Sequence, residues 1–135
     1  MATVHLLQPK PGKTLKESYA GTGYANAKGN TECVEFLRQA LKAPPTVQWQ
    51  EGKKITQGDT AVAAGTPIAT FVNGKYPQTG STGMHAAIYL GQNAVGIQVL
   101  DQWRAQGEVR ERTIRWNPTS TSPSNDAKAF SVVEW

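Results

Sequence analysis

The chain has 135 residues, 39% of them hydrophobic and 8% aromatic, with 14 Lys and Arg against 10 Asp and Glu for a formal charge of +4. This length predicts one domain, residues 1–135, around a single core, and the composition excludes a disordered chain. The basic excess favours anionic partners, but no basic patch interleaved with aromatics and no helix-turn-helix or ribonucleoprotein signature accompanies it, so nucleic acid is not an expected partner.

In chain order, Met1 to Lys10 carry no charged n-region and no long apolar run, and no later stretch approaches the roughly 20 apolar residues of a membrane span. Synthesis in the cytoplasm without a signal peptide is expected, with no membrane partner. Residues 1–30 are rich in Gly, Lys, Ser and Tyr and read as an irregular lead-in with one short strand. Asn30 or Thr31 is placed to cap a helix whose apolar stripe is Cys33, Phe36, Leu37, Ala40 and Leu41, stopped by Pro44-Pro45. Cys33 is the single cysteine. In a helix's first turn its thiol meets unpaired backbone N–H groups and the positive end of the helix dipole, both of which favour thiolate.

From Thr46 onward the pattern turns to strands. Trp49-Gln50-Glu51-Gly52 reads as a loop and Gly58-Asp59 as a turn. Thr66 to Val72 is a strand closed by the turn dipeptide Asn73-Gly74, and Tyr76 to Gly83 is a Gly/Ser/Thr loop. Strands are expected over 84–90, 95–103 and 109–116, then a surface loop from Asn117 to Lys128 and a last strand from Phe130 to Trp135. One helix on an antiparallel sheet is an α+β arrangement.

Alternate residues of a strand share a face, so His85, Ala87 and Tyr89 point one way and Ile97, Val99 and Asp101 share a face of the next strand. If residues 91–95 form the hairpin loop, Tyr89 lies opposite Ile97, Ala87 opposite Val99 and His85 opposite Asp101. A bulge or a loop two residues different moves the partner to Val99 or Trp103, but any unbulged hairpin keeps His85 and Asp101 on one face. A carboxylate there accepts the imidazole N–H and fixes its tautomer. The chemistry this supports is acyl transfer. Cys33 is the nucleophile, His85 the base and then the acid, Asp101 the orienter, and the Cys33 backbone N–H an oxyanion donor, with Tyr24 or Asn30 as second donor.

Plainer readings apply to each residue alone. A single cysteine on an apolar helix face is most often core, a strand histidine most often a hydrogen-bonded structural residue, and Asp101 fits a turn or an ion pair with Arg104 or Arg110. His5 carries only a structural reading. Trp49, Trp103, Trp116 and Trp135 read as core before they read as a glycan platform, the glycines of 21–23 and 80–83 lack phosphate-loop spacing, and Arg110 to Arg112 read as a solvated strand. A lone cysteine excludes a disulfide framework and a multi-Cys zinc site, and two histidines without neighbouring ligands argue against any metal. The order Cys, His, acid and the shared face of the last two favour catalysis.

At these residues the chain resembles the CHAP group (cysteine, histidine-dependent amidohydrolase/peptidase) and its NlpC-type relatives. Asn30-Thr31-Glu32-Cys33-Val34-Glu35-Phe36 is similar to the family's Cys-bearing helix start, Gly83-Met84-His85-Ala86-Ala87-Ile88-Tyr89 to its Gly-x-His-x-Ala strand, and Asp101 falls where the family places its third polar residue, often Glu, Asn or Gln. The resemblance covers roughly residues 30 to 103. It implies a papain-like fold, with the Cys-bearing helix packed on an antiparallel sheet, and cleavage of an amide bond in peptidoglycan peptides without a cofactor. The small size looks more like a stand-alone amidase effector of a type VI secretion apparatus. Delivery to a target periplasm, a cognate immunity protein and a monomeric state are the corresponding expectations. The alternatives are a papain-like deamidase or transglutaminase toxin acting on protein glutamine, and a non-catalytic wall-binding module with Cys33 in its core.

Overall fold

A computed structural model describes residues 1–80 and 83–135. Ser81 and Thr82, part of the expected Tyr76–Gly83 loop, lie outside the described residues. Two helices, α1 (Leu15–Tyr19) and α2 (Cys33–Ala40), precede six strands: β1 (Gln50–Lys54), β2 (Thr66–Thr70), β3 (Ala86–Gln92), β4 (Gly96–Asp101), β5 (Arg110–Arg115) and β6 (Phe130–Glu134). The strands form one sheet in the order β1-β6-β2-β3-β4-β5, and every neighbouring pair is antiparallel. The architecture is therefore α+β, as expected.

Both faces of the sheet are buried, because each central strand is apolar at odd and even positions alike. Ala69, Ala86, Ile88, Leu100 and Val133 face Phe36 and Leu37 of α2, together with Trp49 and Tyr76. Ile68, Ala87, Tyr89, Ile97, Val99 and Val132 build a second layer with Trp116, Ala127 and Phe130. The expected surface loop 117–128 supplies part of that second layer. It folds into 3-10 turns at Pro123–Asn125 and Ala127–Ala129 and buries Ala127 completely.

Several local expectations are corrected. The helix at Cys33 is capped by neither Asn30 nor Thr31. Glu32 is the extended residue before it and makes no side-chain cap, while the Thr31 hydroxyl donates to the Trp103 carbonyl at 3.2 Å. Residues 50–54 are not loop but the edge strand β1; its charged sequence Gln-Glu-Gly-Lys-Lys carries no apolar alternation because an edge faces solvent. The lead-in holds α1, a five-residue helix made viable by a capping box in which Glu17 N–H donates to Thr14 Oγ1 and Thr14 N–H to Glu17 Oε1. Behind it, Gly21 N–H donates to the Val109 carbonyl and Val109 N–H to the Thr22 carbonyl, both at 2.8 Å, which ties the lead-in to the start of β5. Gly23 has to be glycine there, since a Cβ would stand 2.5 Å from the Gly107 carbonyl oxygen.

The β3–β4 hairpin departs from the expected pairing. Tyr89 pairs with Val99 and Ile88 with Leu100, whereas Gly91 pairs with Gln98 and Gln92 with Ile97, so a bulge falls at Leu90. β3 runs two residues further toward the turn than expected, and the site-side register is displaced by two. Continued from Tyr89–Val99, that register sets Asp101 across from Ala87. His85 and Asp101 are then diagonal neighbours rather than opposed ones, and still on one face because the displacement is even.

Candidate active site

The site lies where β3 and β4 end beside the start of α2. His85 continues β3 by one residue: its carbonyl accepts from Thr70 N–H at 3.0 Å, and its own N–H donates to Thr70 Oγ1 at 3.1 Å. That hydroxyl donates in turn to the Gly83 carbonyl at 2.9 Å, so β2 fixes the backbone on which the imidazole stands. His85 is 5% exposed, and its ring is boxed edge-on by Trp103 and Phe130, each at 6.3 Å between centroids.

Asp101 is fully buried, and its Oδ2 lies 2.7 Å from His85 Nε2. The same oxygen accepts from Arg112 Nε at 2.7 Å. Arg112 comes from β5, where it pairs with Val99, so β3, β4 and β5 contribute imidazole, carboxylate and guanidinium to one face in succession. Its guanidinium carbon stands 5.2 Å from the Trp103 ring centroid, and its other nitrogens reach Asn125 Oδ1 and the Ser124 carbonyl at 3.4 Å. Asp101 Oδ1 is buried with no hydrogen-bond partner among the described residues.

Cys33 opens α2 and is half-buried. Its sulfur reaches the sheet end: the Tyr76 hydroxyl is 3.8 Å from Sγ, and the His85 ring and the Ala86 backbone N–H lie near enough to favour the thiolate. With Nε2 given to Asp101, Nδ1 is the imidazole nitrogen left for the thiol. Tyr76 is buried, its ring edge-on to Trp49 at 5.2 Å and to Phe71 at 6.5 Å. Burial foremost, then the negative character of Cys33, pushes the Tyr76 phenol up, so it stays a hydrogen-bond donor.

These contacts set the charge state. Burial works to raise the Cys33 pKa, but the hydrogen bond from His85, the charge of that ring, the Ala86 N–H and the Tyr76 hydroxyl outweigh it and hold the thiol below the ordinary cysteine value. Burial works to lower the pKa of His85, and is overcome by the hydrogen bond to Asp101 and then by Cys33, so the imidazole rises to about 9. A thiolate beside an imidazolium is the state both shifts describe.

The structure thus brings Cys33, His85 and Asp101 together. Tyr24 lies at the same end of the molecule, its ring stacked on Phe36 of α2 at 5.2 Å and its backbone held by the Gln102 side chain. Asn30 closes a turn with Asn26, exchanging backbone bonds of 2.9 and 3.0 Å with that residue's N–H and Oδ1. Three residues that sequence reasoning did not single out complete the site: Arg112, Tyr76 and Gln102. None lies near Cys33 or His85 in sequence; only the strand parity of Arg112 with Asp101 across β4 and β5 offered a signal. A cavity of about 450 Å³ opens beside His85 and Arg112, lined also by Met84, Trp103, Ser124 and Asn125 among others. Among the described residues no group of three or more His, Cys, Asp or Glu side chains is placed to hold a metal ion.

A family model described as "Domesticated amidase effector 2" matches residues 7–133. The chain is 38% identical over 131 residues to the "Type VI secretion amidase effector 2 protein" of Salmonella typhi, covering 82% of this chain and 97% of that one. It is 30% identical over 106 residues to "Domesticated amidase effector 2" of Ixodes scapularis, covering 76% of this chain and 70% of that one. The solved structure of "Type 6 secretion amidase effector 2" superposes with a TM-score of 0.74 at 32% identity, over 92% of this chain and 94% of that one. With strand order, sheet end and helix start in place around Cys33 and His85, the chain belongs to the amidase effector 2 family.

Proposed function

We propose that this protein is a papain-like cysteine amidase, a single domain over residues 1–135, that hydrolyses an amide bond in bacterial peptidoglycan peptides. The observation that carries the reading is that one imidazole serves both partners: His85 Nε2 lies 2.7 Å from Asp101 Oδ2, and the same ring works to hold the Cys33 thiol below the ordinary cysteine value. The amidase effector names of the relatives supply the reaction class.

In this mechanism the Cys33 thiolate attacks the scissile carbonyl carbon, forming the C–S bond as the carbonyl electrons move to oxygen. The oxyanion faces the first turn of α2, where helix geometry leaves backbone N–H groups without intrahelical partners, Cys33 N–H among them. Of the two residues read as second donor, Tyr24 has its ring on α2 one turn from Cys33, whereas the backbone of Asn30 is committed to its turn with Asn26. The His85 imidazolium then protonates the leaving nitrogen as the C–N bond breaks, giving a thioester and a neutral ring. Water attacks the thioester, His85 takes its proton, the C–S bond breaks and the thiolate–imidazolium pair is restored. Asp101 holds Nε2–H throughout, so Nδ1 always faces the sulfur.

By the same reading the protein is a monomeric toxin delivered to a target periplasm by a type VI apparatus and blocked in the producing cell by an immunity protein. The test is mass spectrometry of soluble muropeptides after digestion of isolated peptidoglycan. Wild-type protein releases them, naming the bond cut, and Cys33→Ser releases none while its circular dichroism stays native. Undiminished release by Cys33→Ser contradicts the assignment; ammonia release from protein glutamine without muropeptides favours a deamidase instead.

A further inference from the structure

Gln102 is wholly buried, and every polar atom of its side chain is spent on backbone. Its Oε1 accepts from Tyr24 N–H at 3.0 Å, and its Nε2 donates to the Tyr24 carbonyl and to the Glu32 carbonyl, both at 2.8 Å. Glu32 is the residue immediately before Cys33, and its carbonyl also accepts the first turn bond of α2 from Glu35 N–H at 3.0 Å. The amide therefore grips the point at which the chain enters the nucleophile's helix.

Gln102 is also the neighbour of Asp101. Successive residues of an extended chain point to opposite faces. At the end of β4, Asp101 turns toward His85 and Gln102 toward the Cys33 helix. One dipeptide thus holds the base from one side of the sheet and the nucleophile from the other. A shift of this chain end would move both partners together and preserve the sulfur–imidazole distance.

We propose that Gln102 is the positioning residue for the Cys33 thiol, setting its distance to the His85 ring as Asp101 sets the orientation of that ring. The proposal rests on the amidase reading for its kinetic arm alone, since thiol ionisation is measured without substrate. A displacement of about 1 Å between reacting groups is enough for a loss near 100-fold.

The molecule supplies its own control. Gln92, at the far end of β3, is used the same way: its Oε1 accepts from Gly58 N–H at 2.7 Å and its Nε2 donates to the Thr56 and Asp59 carbonyls at 3.0 Å. Gln102→Met and Gln92→Met each remove three such bonds and keep side-chain length. The experiment compares the two for melting temperature, for the pH midpoint of Cys33 alkylation by iodoacetamide, and for muropeptide release. Both variants are expected to lose thermal stability. Only Gln102→Met is expected to move the alkylation midpoint upward toward ordinary cysteine, and to lose roughly 10- to 100-fold in kcat/KM. Equal midpoints and equal activity in two folded variants overturn the proposal. If Gln102→Met does not fold, Gln102→Asn against Gln92→Asn repeats the comparison; failure of both Gln102 variants where both Gln92 variants fold assigns Gln102 to the fold instead and also overturns it. A wild-type protein that releases no muropeptides defeats the amidase reading and leaves the alkylation comparison standing.

Discussion

The two halves of the site are built by different means. Imidazole, carboxylate and guanidinium come from or beside β3, β4 and β5, adjacent strands whose register fixes them on one face. The thiol comes from an eight-residue helix on the other face, which makes no side-chain cap at its start and is held by Gln102 at the Glu32 carbonyl and by Tyr76 at the sulfur. A ladder of backbone bonds fixes where the sheet-side groups stand, whereas the helix entrance is placed by a few side-chain contacts. Changes on the sheet side should therefore act on the charge balance of His85, and changes on the helix side on the ionisation and placement of Cys33.

The largest departure is expected from Asp101→Asn. It keeps the shape but leaves the Arg112 guanidinium and the protonated His85 without their shared counter-charge, and breaking such a pair costs about 3 kcal/mol or more. Denaturant unfolding should show that loss, and peptidoglycan digestion a fall in kcat of about 100-fold, with the His85 pKa brought down. Native stability and activity in Asp101→Asn would remove the carboxylate from the account.

Arg112→Met sharpens the sheet half in the opposite direction. In the wild type the imidazolium is present up to pH about 9, so kcat/KM should fall above that pH as the acid that protonates the leaving amine is lost. Removing the guanidinium takes away a positive charge near the ring and leaves Asp101 Oδ2 to His85 alone, so the His85 pKa rises and the alkaline limb moves to higher pH. A limb that stays in place or moves down contradicts the shared-oxygen picture. Tyr76→Phe, on the helix half, removes only the hydroxyl 3.8 Å from Sγ. It should raise the alkylation midpoint of Cys33 slightly and lower kcat/KM a few-fold, with thermal stability nearly unchanged because both aromatic contacts of the ring remain.

The same division explains what was legible in the sequence. The shared face of His85 and Asp101 follows from strand parity, and it survives a two-residue change of register because the displacement is even. The displacement is even only because the loop-side register, off by three, is brought back by one at the Leu90 bulge, which has no local signal in Tyr89-Leu90-Gly91; without that bulge Asp101 would lie opposite Ile88, on the other face from His85. The helix beginning at Cys33 was legible from its apolar stripe; its entrance was not, because neither expected cap at Asn30 or Thr31 forms, and the chain there is gripped instead through the Glu32 carbonyl by Gln102, 70 residues away. α1 is too short to show a period, although Thr14-x-x-Glu17 is a capping-box spelling that marks its start. β1 hid because an edge strand needs no apolar face. Arg112 and Tyr76 enter the site through sheet order and aromatic packing, which are tertiary facts.

The central claim is that Cys33 and His85 form one thiolate–imidazolium pair. The most direct measurement is the pH dependence of Cys33 alkylation by iodoacetamide in the native protein and in His85→Ala. The account predicts rapid alkylation well below the ordinary cysteine range in the native protein, with the midpoint rising sharply once the imidazole is gone. Superimposable profiles, or a native thiol that reacts only on unfolding, would contradict it.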